Sequence, residues 1–323
     1  MHRDLLIVYN ITHHYRIPIF NLLAEHYNLT VLHSGKTEYF SLDKKINFNE
    51  IIIKQYDFGP FSLRPSVIKH MIKFNNIIIL SDVRYLFEMI FLLLNYKKKK
   101  IILWGNWFTK SWIANKFRIL ISKLSFSNIF YSKVTMKEFI NSGVDSSKCF
   151  TANNTIYVDR NLVKKSTNKN KILLVGSLNK RKKIDVIIKT FIEISDKIPN
   201  VSLEIIGSGS EFNRLKKLTG SKKNKINFHG KITDKNKLSE YYKDAICEVS
   251  YSQAGLSILQ SLGYGVPFIT SAKSISGGEI YNIVNGYNGF LIDNENQLKD
   301  ILLNLCKNKS LIRELSKNAL EYY

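Results

Sequence analysis

The 323-residue chain is short of three things: cysteine, acidic side chains and any hydrophobic run of membrane length. Its three cysteines, Cys149, Cys247 and Cys306, stand far apart. That excludes a disulfide framework, fits a reducing compartment and leaves no paired spacing for a zinc site. The strongest apolar stretch, "YLFEMIFLLL" at Tyr85–Leu94, is broken by Glu88. It falls well short of the ~20 residues that span a bilayer. The amino terminus "MHRDLLIVYN" enters a strand directly, without the apolar region of a secretory leader. Together these absences predict a cytoplasmic protein.

The shortage of acids leaves 26 of them against 48 bases, a net charge of +22. Nucleic acid, an anionic membrane surface and codon bias toward Lys, Asn and Ile are all causes of such an excess. The excess is even: residues 1–160 hold 22 bases and 11 acids, and residues 161–323 hold 26 and 15. No RNA- or DNA-binding motif accompanies it, so nucleic acid is not an expected partner and the membrane surface stays open. With 45% apolar residues the chain can bury substantial cores, and its length suits two domains.

What is present is an alternation of strands and helices. In the first half, strand candidates fall at Leu5–Tyr9, Leu29–His33, Ile51–Lys54, Ile77–Leu80, Ile101–Trp104 and Asn128–Phe130. Helical stretches Pro18–Glu25, Arg84–Leu94 and Lys110–Leu124 lie between them. Such alternation builds parallel α/β sheets. Around "NTIYVDRNLVKKSTNKNK" (Asn154–Lys171) the pattern dissolves into polar and basic residues, which divides the chain into domains 1–160 and 161–323. The second half restarts at "KILLVGSL" and runs through strands Ser202–Ile206, Ile226–Phe228 and Ile246–Val249 to two closing amphipathic helices. Each half reads as an open doubly wound sheet. Ligands bind beyond the carboxyl ends of such strands, so a cleft between two facing halves is expected.

Five stretches invite a chemical reading. "VGSLNKRKKIDVIIKTF" sets the basic cluster Lys180–Lys183 between a strand and a helix, a good position for phosphate oxygens. A solvated basic loop is the alternative, and Asp185 reads as a helix N-terminal acid. "IIGSGSEF" lacks the third glycine of a dinucleotide fingerprint and reads as a tight turn. In "SYSQAGLSILQSLGYGVPFIT" (Ser250–Thr270), Gly255 opens a helix without blocking a ligand's approach. Ser252 precedes it and Gln260 follows two turns in. Core packing explains Leu256, Leu259 and Leu262 but not Gln260. "NITHHYRIPIF" sets His13, His14, Tyr15 and Arg16 in the loop after the first strand, where a histidine can act as base or donor. Adjacent histidines diverge, so they make no metal site. Finally, "LWGNWFTKSWIANKFRILISKLSF" mixes Trp104, Trp107, Trp112 and Phe117 with bases. It suits either a membrane-surface helix or one face of a core.

Five segments in order, "VGSLNKRKKID", "LEIIGSGSE", "INFHGKI", "YYKDAICEVSYSQAGLSILQSLGYGVPFIT" and "GGEIYNIVNGYNGFLI", resemble the family 4 glycosyltransferases. Their GT-B fold sets two facing Rossmann-like domains around a cleft. The resemblance spans about residues 170–323 and, more weakly, 1–160, where "HYRIPIFNLLA" and "SKVTMKEFINSGVDSSKCFTANNTIYV" match an opening loop and a domain closure. It implies transfer of a sugar from a nucleotide diphosphate sugar to a saccharide or lipid-linked saccharide. Capsule, O-antigen or lipopolysaccharide synthesis is the implied setting, with retention, no metal or other cofactor, and a place at the inner face of the plasma membrane.

The resemblance also assigns residues. Lys182 matches the lysine that grips the donor diphosphate. Ser177 stands at the family's arginine position, with Arg181 as the substitute. Gly230 and Lys231 fall on the turn that receives the base, and the amides of Gly255 and Leu256 form the diphosphate cradle. The two acids of the Glu-x7-Glu motif are replaced by Ser252 and Gln260. Gln260 can still bond a ribose hydroxyl, but Ser252 supplies no carboxylate. Asn106 stands where relatives often have a histidine. It joins His13 and Ser252 in the expected catalytic set, with His14, Tyr15 and Arg16 toward the acceptor. Leaving-group stabilisation is chiefly electrostatic, so transfer does not require the missing first acid. A nucleotide-sugar epimerase on the same fold and a non-catalytic glycan- or nucleotide-binding homologue are the alternatives.

Overall fold

A computed structural model describes residues 3–13, 15–35, 46–164, 166–222 and 224–323. The chain divides into two compact units, Met1–Asn154 and Thr155–Tyr323, at the start of the polar stretch that interrupts the alternation.

The first unit contains strands β1 (Arg3–Val8), β2 (Tyr27–His33), β3 (Asn49–Ile52), β4 (Tyr56–Phe58), β5 (Phe61–Leu63), β6 (Asn76–Leu80), β7 (Lys100–Asn106), β8 (Ser127–Phe130) and β9 (Cys149–Thr151). Its helices are α1 (Ile17–Ala24), α2 (Val67–Met71), α3 (Leu86–Asn95), α4 (Trp112–Leu124) and α5 (Lys133–Asn141). Seven strands form a parallel sheet in the order β3-β2-β1-β6-β7-β8-β9, and β4 and β5 pair as a separate antiparallel hairpin. Period-two alternation splits β1 between two cores. Leu6 and Val8 pack with Met71, Met89, Leu92 and Ile121 from α2, α3 and α4. Leu5 and Ile7 pack with Ile17 and Phe20 of α1 and with Trp104. Burial on both faces is why these strands read as continuous Ile and Leu runs.

Glu88, the acid inside the apolar run, is 1% exposed on α3 and is the partner of the equally buried Arg64. Arg64 Nε donates to Glu88 Oε1 at 2.8 Å, and Nη1 donates to the Tyr9 carbonyl at 2.6 Å. The pair therefore pins the carboxyl end of β1. Helix α4 turns Ile121 into the core while Trp112 and Ile113, at its start, stay 66% and 73% exposed. The core reading of this segment thus holds for its inner face. Among the described residues no helix is long and apolar enough to cross a membrane.

The second unit contains β10 (Lys171–Val175), β11 (Ser202–Ile206), β12 (Ile226–Phe228), β13 (Ala245–Val249), β14 (Phe268–Ser271) and β15 (Gly289–Ile292). They form a parallel sheet in the order β12-β11-β10-β13-β14-β15. The helices are α6 (Ile184–Ile194), α7 (Phe212–Leu218), α8 (Lys235–Lys243), α9 (Ser257–Gly263), α10 (Glu295–Lys307) and α11 (Lys309–Tyr322). Ile172, Leu174, Leu203 and Ile205 meet Ile187 and Phe191 of α6 and Leu302 of α10 in the largest core. The hydroxyl of Tyr323 donates to the Ile156 carbonyl and accepts from the Val158 amide, so the unit's last residue is fastened to its first segment.

Where β10 and β11 end, their backbones touch. A Cβ on Gly207 would lie 1.8 Å from the Gly176 carbonyl oxygen, and one on Gly209 would lie 2.2 Å from that of Leu178. The glycines of "GSGS" therefore serve close backbone packing. Gly207→Ala is expected to destabilise this unit by about 3 kcal/mol or more, beyond an ordinary overpacked site, because the obstacle is main chain. Urea titration followed by circular dichroism would measure it.

Candidate functional site

Doubly wound sheets bind ligands where the strand order reverses, because the loops on either side leave in opposite directions. In the second unit the reversal lies between β10 and β13. The two loops that flank it are Gly176–Lys183 and Ser250–Leu256, both singled out in the sequence.

The first loop holds its basic cluster in a short 3-10 turn, Lys180–Lys182. Asn179 caps that turn by accepting from the Lys182 amide at 3.2 Å, and Lys183 takes a left-handed conformation (φ 47°) that starts α6. The Lys182 side chain doubles back over Gly176: a Cβ there would lie 2.5 Å from Nζ. Lys182 is 8% exposed. Burial draws its pKa down, and the charge of Glu248 draws it partly back.

The second loop is tied to the first, because Ser252 Oγ donates to the Arg181 carbonyl. Ser252 thus braces the basic turn. Its own carbonyl accepts from the Ile275 amide at 2.9 Å, and the Ala254 amide donates to the Ile275 carbonyl at 3.0 Å. Helix α9 begins at Ser257 rather than Gly255, which leaves Gly255 and Leu256 in the turn ahead of it. Gln260 is half-buried on α9. On the neighbouring strands, Gly207 donates to the Gly230 carbonyl at 2.7 Å, which sets the "HGKI" turn beside the same crevice, with Lys231 exposed.

Two acid clusters under these loops escaped the sequence reading. Glu248 is fully buried on β13, opposite Leu173 of β10. Tyr242 Oη donates to its Oε2 at 2.6 Å, while Oε1 has no partner. Burial pushes its carboxyl up to about 8, against the bond from Tyr242 and the charge of Lys182. Glu204 on β11 meets His229 Nε2 and accepts from Asn227 Nδ2 at 3.0 Å, and Tyr241 Oη lies 3.0 Å from His229 Nδ1. Burial opposes the Glu204 charge, but bonds from Ser202, His229 and Asn227 outweigh it and hold its pKa below the ordinary value. The available signal was an acid inside an otherwise apolar strand, "AICEV" and "LEII".

In the first unit the reversal lies between β1 and β6. His13 and Tyr15 stack with ring centroids 5.1 Å apart in the loop after β1. His14 lies outside the described residues. Arg16 is 2% exposed, with its guanidinium among Tyr9, Tyr15, Trp104 and Tyr131. It donates to Tyr131 Oη and to Asn154 Oδ1, each at 2.9 Å. Asn106 is 1% exposed in a polar row across the sheet. Its Oδ1 accepts from Ser81, its Nδ2 donates to Asn128 Oδ1 at 2.9 Å, and Asn128 donates to the Ser122 carbonyl at 3.0 Å. The structure therefore gathers Arg181, Lys182 and Ser252, and separately His13, Tyr15 and Arg16, while both ends of the Asn106 amide are engaged within its own unit. Among the described residues no three His, Cys, Asp or Glu side chains gather as a metal site.

A family profile described as "Glycosyl transferases group 1" matches residues 158–322. The chain belongs to that glycosyltransferase family. An uncharacterized glycosyltransferase of Methanocaldococcus jannaschii is 30% identical over 269 residues, which is 73% of this chain and 67% of that protein. Poly(glycerol-phosphate) alpha-glucosyltransferase of Bacillus subtilis is 27% identical over 157 residues, 47% of this chain and 23% of that one. The crystal structure of Anabaena HepE in complex with UDP superposes with a TM-score of 0.74, at 13% identity over 98% of this chain and 94% of that one. That of WaaG, a glycosyltransferase involved in lipopolysaccharide biosynthesis, gives 0.68 at 15% identity, with 98% and 94% covered. The glycosyltransferase thus has the GT-B type of α/β fold.

The raised pKa of Glu248 makes the glycosyltransferase sensitive to pH. A carboxyl whose folded value lies above its unfolded value binds more protons folded, so stability falls as pH climbs from the ordinary carboxylate range through about 8. Glu248→Gln is expected to flatten that decline and to be more stable than the parent above pH 8, by about 2–5 kcal/mol. Thermal melts at pH 5 and pH 9 would show the difference opening with pH.

Proposed function

We propose that the glycosyltransferase is a family 4 member that moves a sugar from a nucleotide diphosphate sugar to a saccharide acceptor, with retention. The observation that carries this reading is the fastening of the Ser252 turn to the Lys180–Lys182 turn over a buried Lys182, at the strand reversal of the second unit. As the bond from the sugar to the diphosphate breaks, negative charge builds on the leaving oxygens. The Lys182 ammonium, with Arg181 beside it and the amides of Gly255 and Leu256, meets that charge without a metal. Gln260 bonds a ribose hydroxyl, and the Gly230–Lys231 turn receives the base. Ser252 contributes position rather than charge, which explains how the motif tolerates the loss of its first acid.

His13, Tyr15 and the caged Arg16 shape the acceptor side, with Asn106 stiffening the sheet beneath. Bacterial surface polysaccharide, carried on a lipid, is the acceptor class. The poly(glycerol-phosphate) glucosyl transfer of the Bacillus subtilis relative and the part of WaaG in lipopolysaccharide biosynthesis support it, and the UDP in HepE supports a uridine nucleotide. The net charge of +22 and the exposed Trp112 and Ile113 beside Lys116 suit attachment to an anionic inner membrane face.

Thermal melts with UDP, GDP, ADP, CMP and TDP test the reading. One diphosphate is expected to stabilise the chain, by about 2.7 kcal/mol at a hundredfold excess over its Kd. Lys182→Ala should abolish the shift and lower kcat/KM about a hundredfold or more, and Gln260→Ala should reduce the shift. No shift with any diphosphate would defeat the donor assignment. Binding without turnover would favour the glycan- or nucleotide-binding homologue, and release of free nucleotide without an acceptor the epimerase.

A further inference from the structure

Counted by halves the excess of bases is even, but within the first unit it is concentrated. Residues 65–137 hold 13 lysines and arginines against two acids, Asp82 and Glu88. Both acids are buried and already paired, with Arg84 and Arg64. The exposed charge of this stretch is therefore all positive. Among the described residues every lysine that forms an ion pair lies in the second unit, from Lys164 with Glu240 to Lys317 with Glu321. Bases in the second unit are thus partly neutralised on the surface, while the lysines of residues 65–137 are not.

The same stretch leaves apolar side chains in water. Helices α3 and α4 pack Met89, Leu92 and Ile121 into one core, so they lie side by side on the same face of the sheet. On the outer face of α3, Ile90 and Leu94 stand one turn apart and are 50% and 73% exposed. On that of α4, Trp112, Ile113 and Leu120 are exposed, with Lys116 Nζ 4.0 Å from the Trp112 ring. Lys97 and Lys98 follow α3 and are exposed, and Phe126 follows α4 with Lys100 Nζ 5.3 Å from its ring. Apolar side chains interleaved with lysines, and no exposed acid among them, are the composition of a helix face that lies in a lipid interface.

We propose that the outer face of α3 and α4, rimmed by Lys97 and Lys98, docks on a bilayer of anionic lipid. The combination of charge and apolar exposure selects this occupant. A second copy of the chain would set like charges against like. Nucleic acid would answer the lysines but leave Ile90, Leu94 and Ile113 in water. An anionic bilayer takes the apolar side chains into its acyl boundary and meets the lysines with its head groups. This surface gives the membrane attachment proposed above its place on the fold, and rests on that reading.

Cosedimentation of the full chain with phosphatidylglycerol or phosphatidylcholine vesicles, in about 0.1 M salt, tests it. The chain is expected to pellet with the first and not the second. Changing Lys97, Lys98 and Lys116 together to Gln should lower the partition coefficient about a hundredfold, at about fivefold for each base near the surface. Leu94→Ser with Ile113→Ser should lower it about tenfold or more. All five side chains are exposed, so these variants should keep the parent's Tm and its response to UDP. Changing Lys216, Lys217 and Lys237 of the second unit to Gln should cost far less, and an equal loss there would overturn the assignment to this face. Undiminished binding in the α3 and α4 variants would overturn the face while leaving attachment to the membrane standing. Failure of the parent to bind phosphatidylglycerol would overturn both. Equal binding to phosphatidylcholine would overturn the anionic assignment. Binding lost with the lysines but untouched by the Leu94 and Ile113 changes would favour a purely electrostatic partner such as nucleic acid. Self-association of the parent that the same variants abolish would favour a second copy. Failure of UDP on the parent would defeat the donor reading and leave this surface intact.

Discussion

A parallel sheet delivers every strand's carboxyl end to the same side, and the loops there must diverge where the strand order turns back. Both units obey this constraint, with reversals at β1/β6 and β10/β13. In the second unit the glycines at the ends of β10 and β11 allow main chain to lie against main chain, and Lys182 folds over the result. In the first unit the same side carries the Arg16 cage and the Asp82–Arg84 pair.

Charge is the second organising theme. The chain buries several ionisable groups and compensates each differently. Arg64 has Glu88, Glu204 has His229 and two further donors, and Arg16 has four aromatic faces and two hydrogen bonds. Lys182 is left with the least, beside a carboxyl that resists ionising. Incomplete compensation at the edge of a crevice is what an anion-binding residue needs, because a fully paired one would have nothing to offer a ligand.

Much of this was legible in the residues. The runs "LEII" and "AICEV" read as buried strands, and β11 and β12 have the expected limits, because both faces of a parallel sheet are covered and the apolar signal is continuous. The pairing of the Lys182 and Ser252 segments followed from a family resemblance, and the bond between them supplies its physical content. Other features left no trace. The β4–β5 hairpin has three-residue strands that are mostly exposed, so no period exists to detect. Asn106 read as a site residue because it stands where relatives often have a histidine, but whether its amide faces a ligand or a neighbour depends on Ser81, just after β6, and on Asn128 of β8, and sequence does not register those strands against β7.

The bond between Ser252 and the Arg181 carbonyl has a consequence for when disorder is lost. With Asn179 capping one turn, Ile275 bridging the other and a hydroxyl joining the two, the loops around Lys182 are ordered by folding itself. On the proposed donor reading, a ligand docking there would meet loops already held in place, at little further cost in chain entropy. Selectivity in this half of the molecule would then come from shape and charge already in place, with less left to rearrangement after encounter.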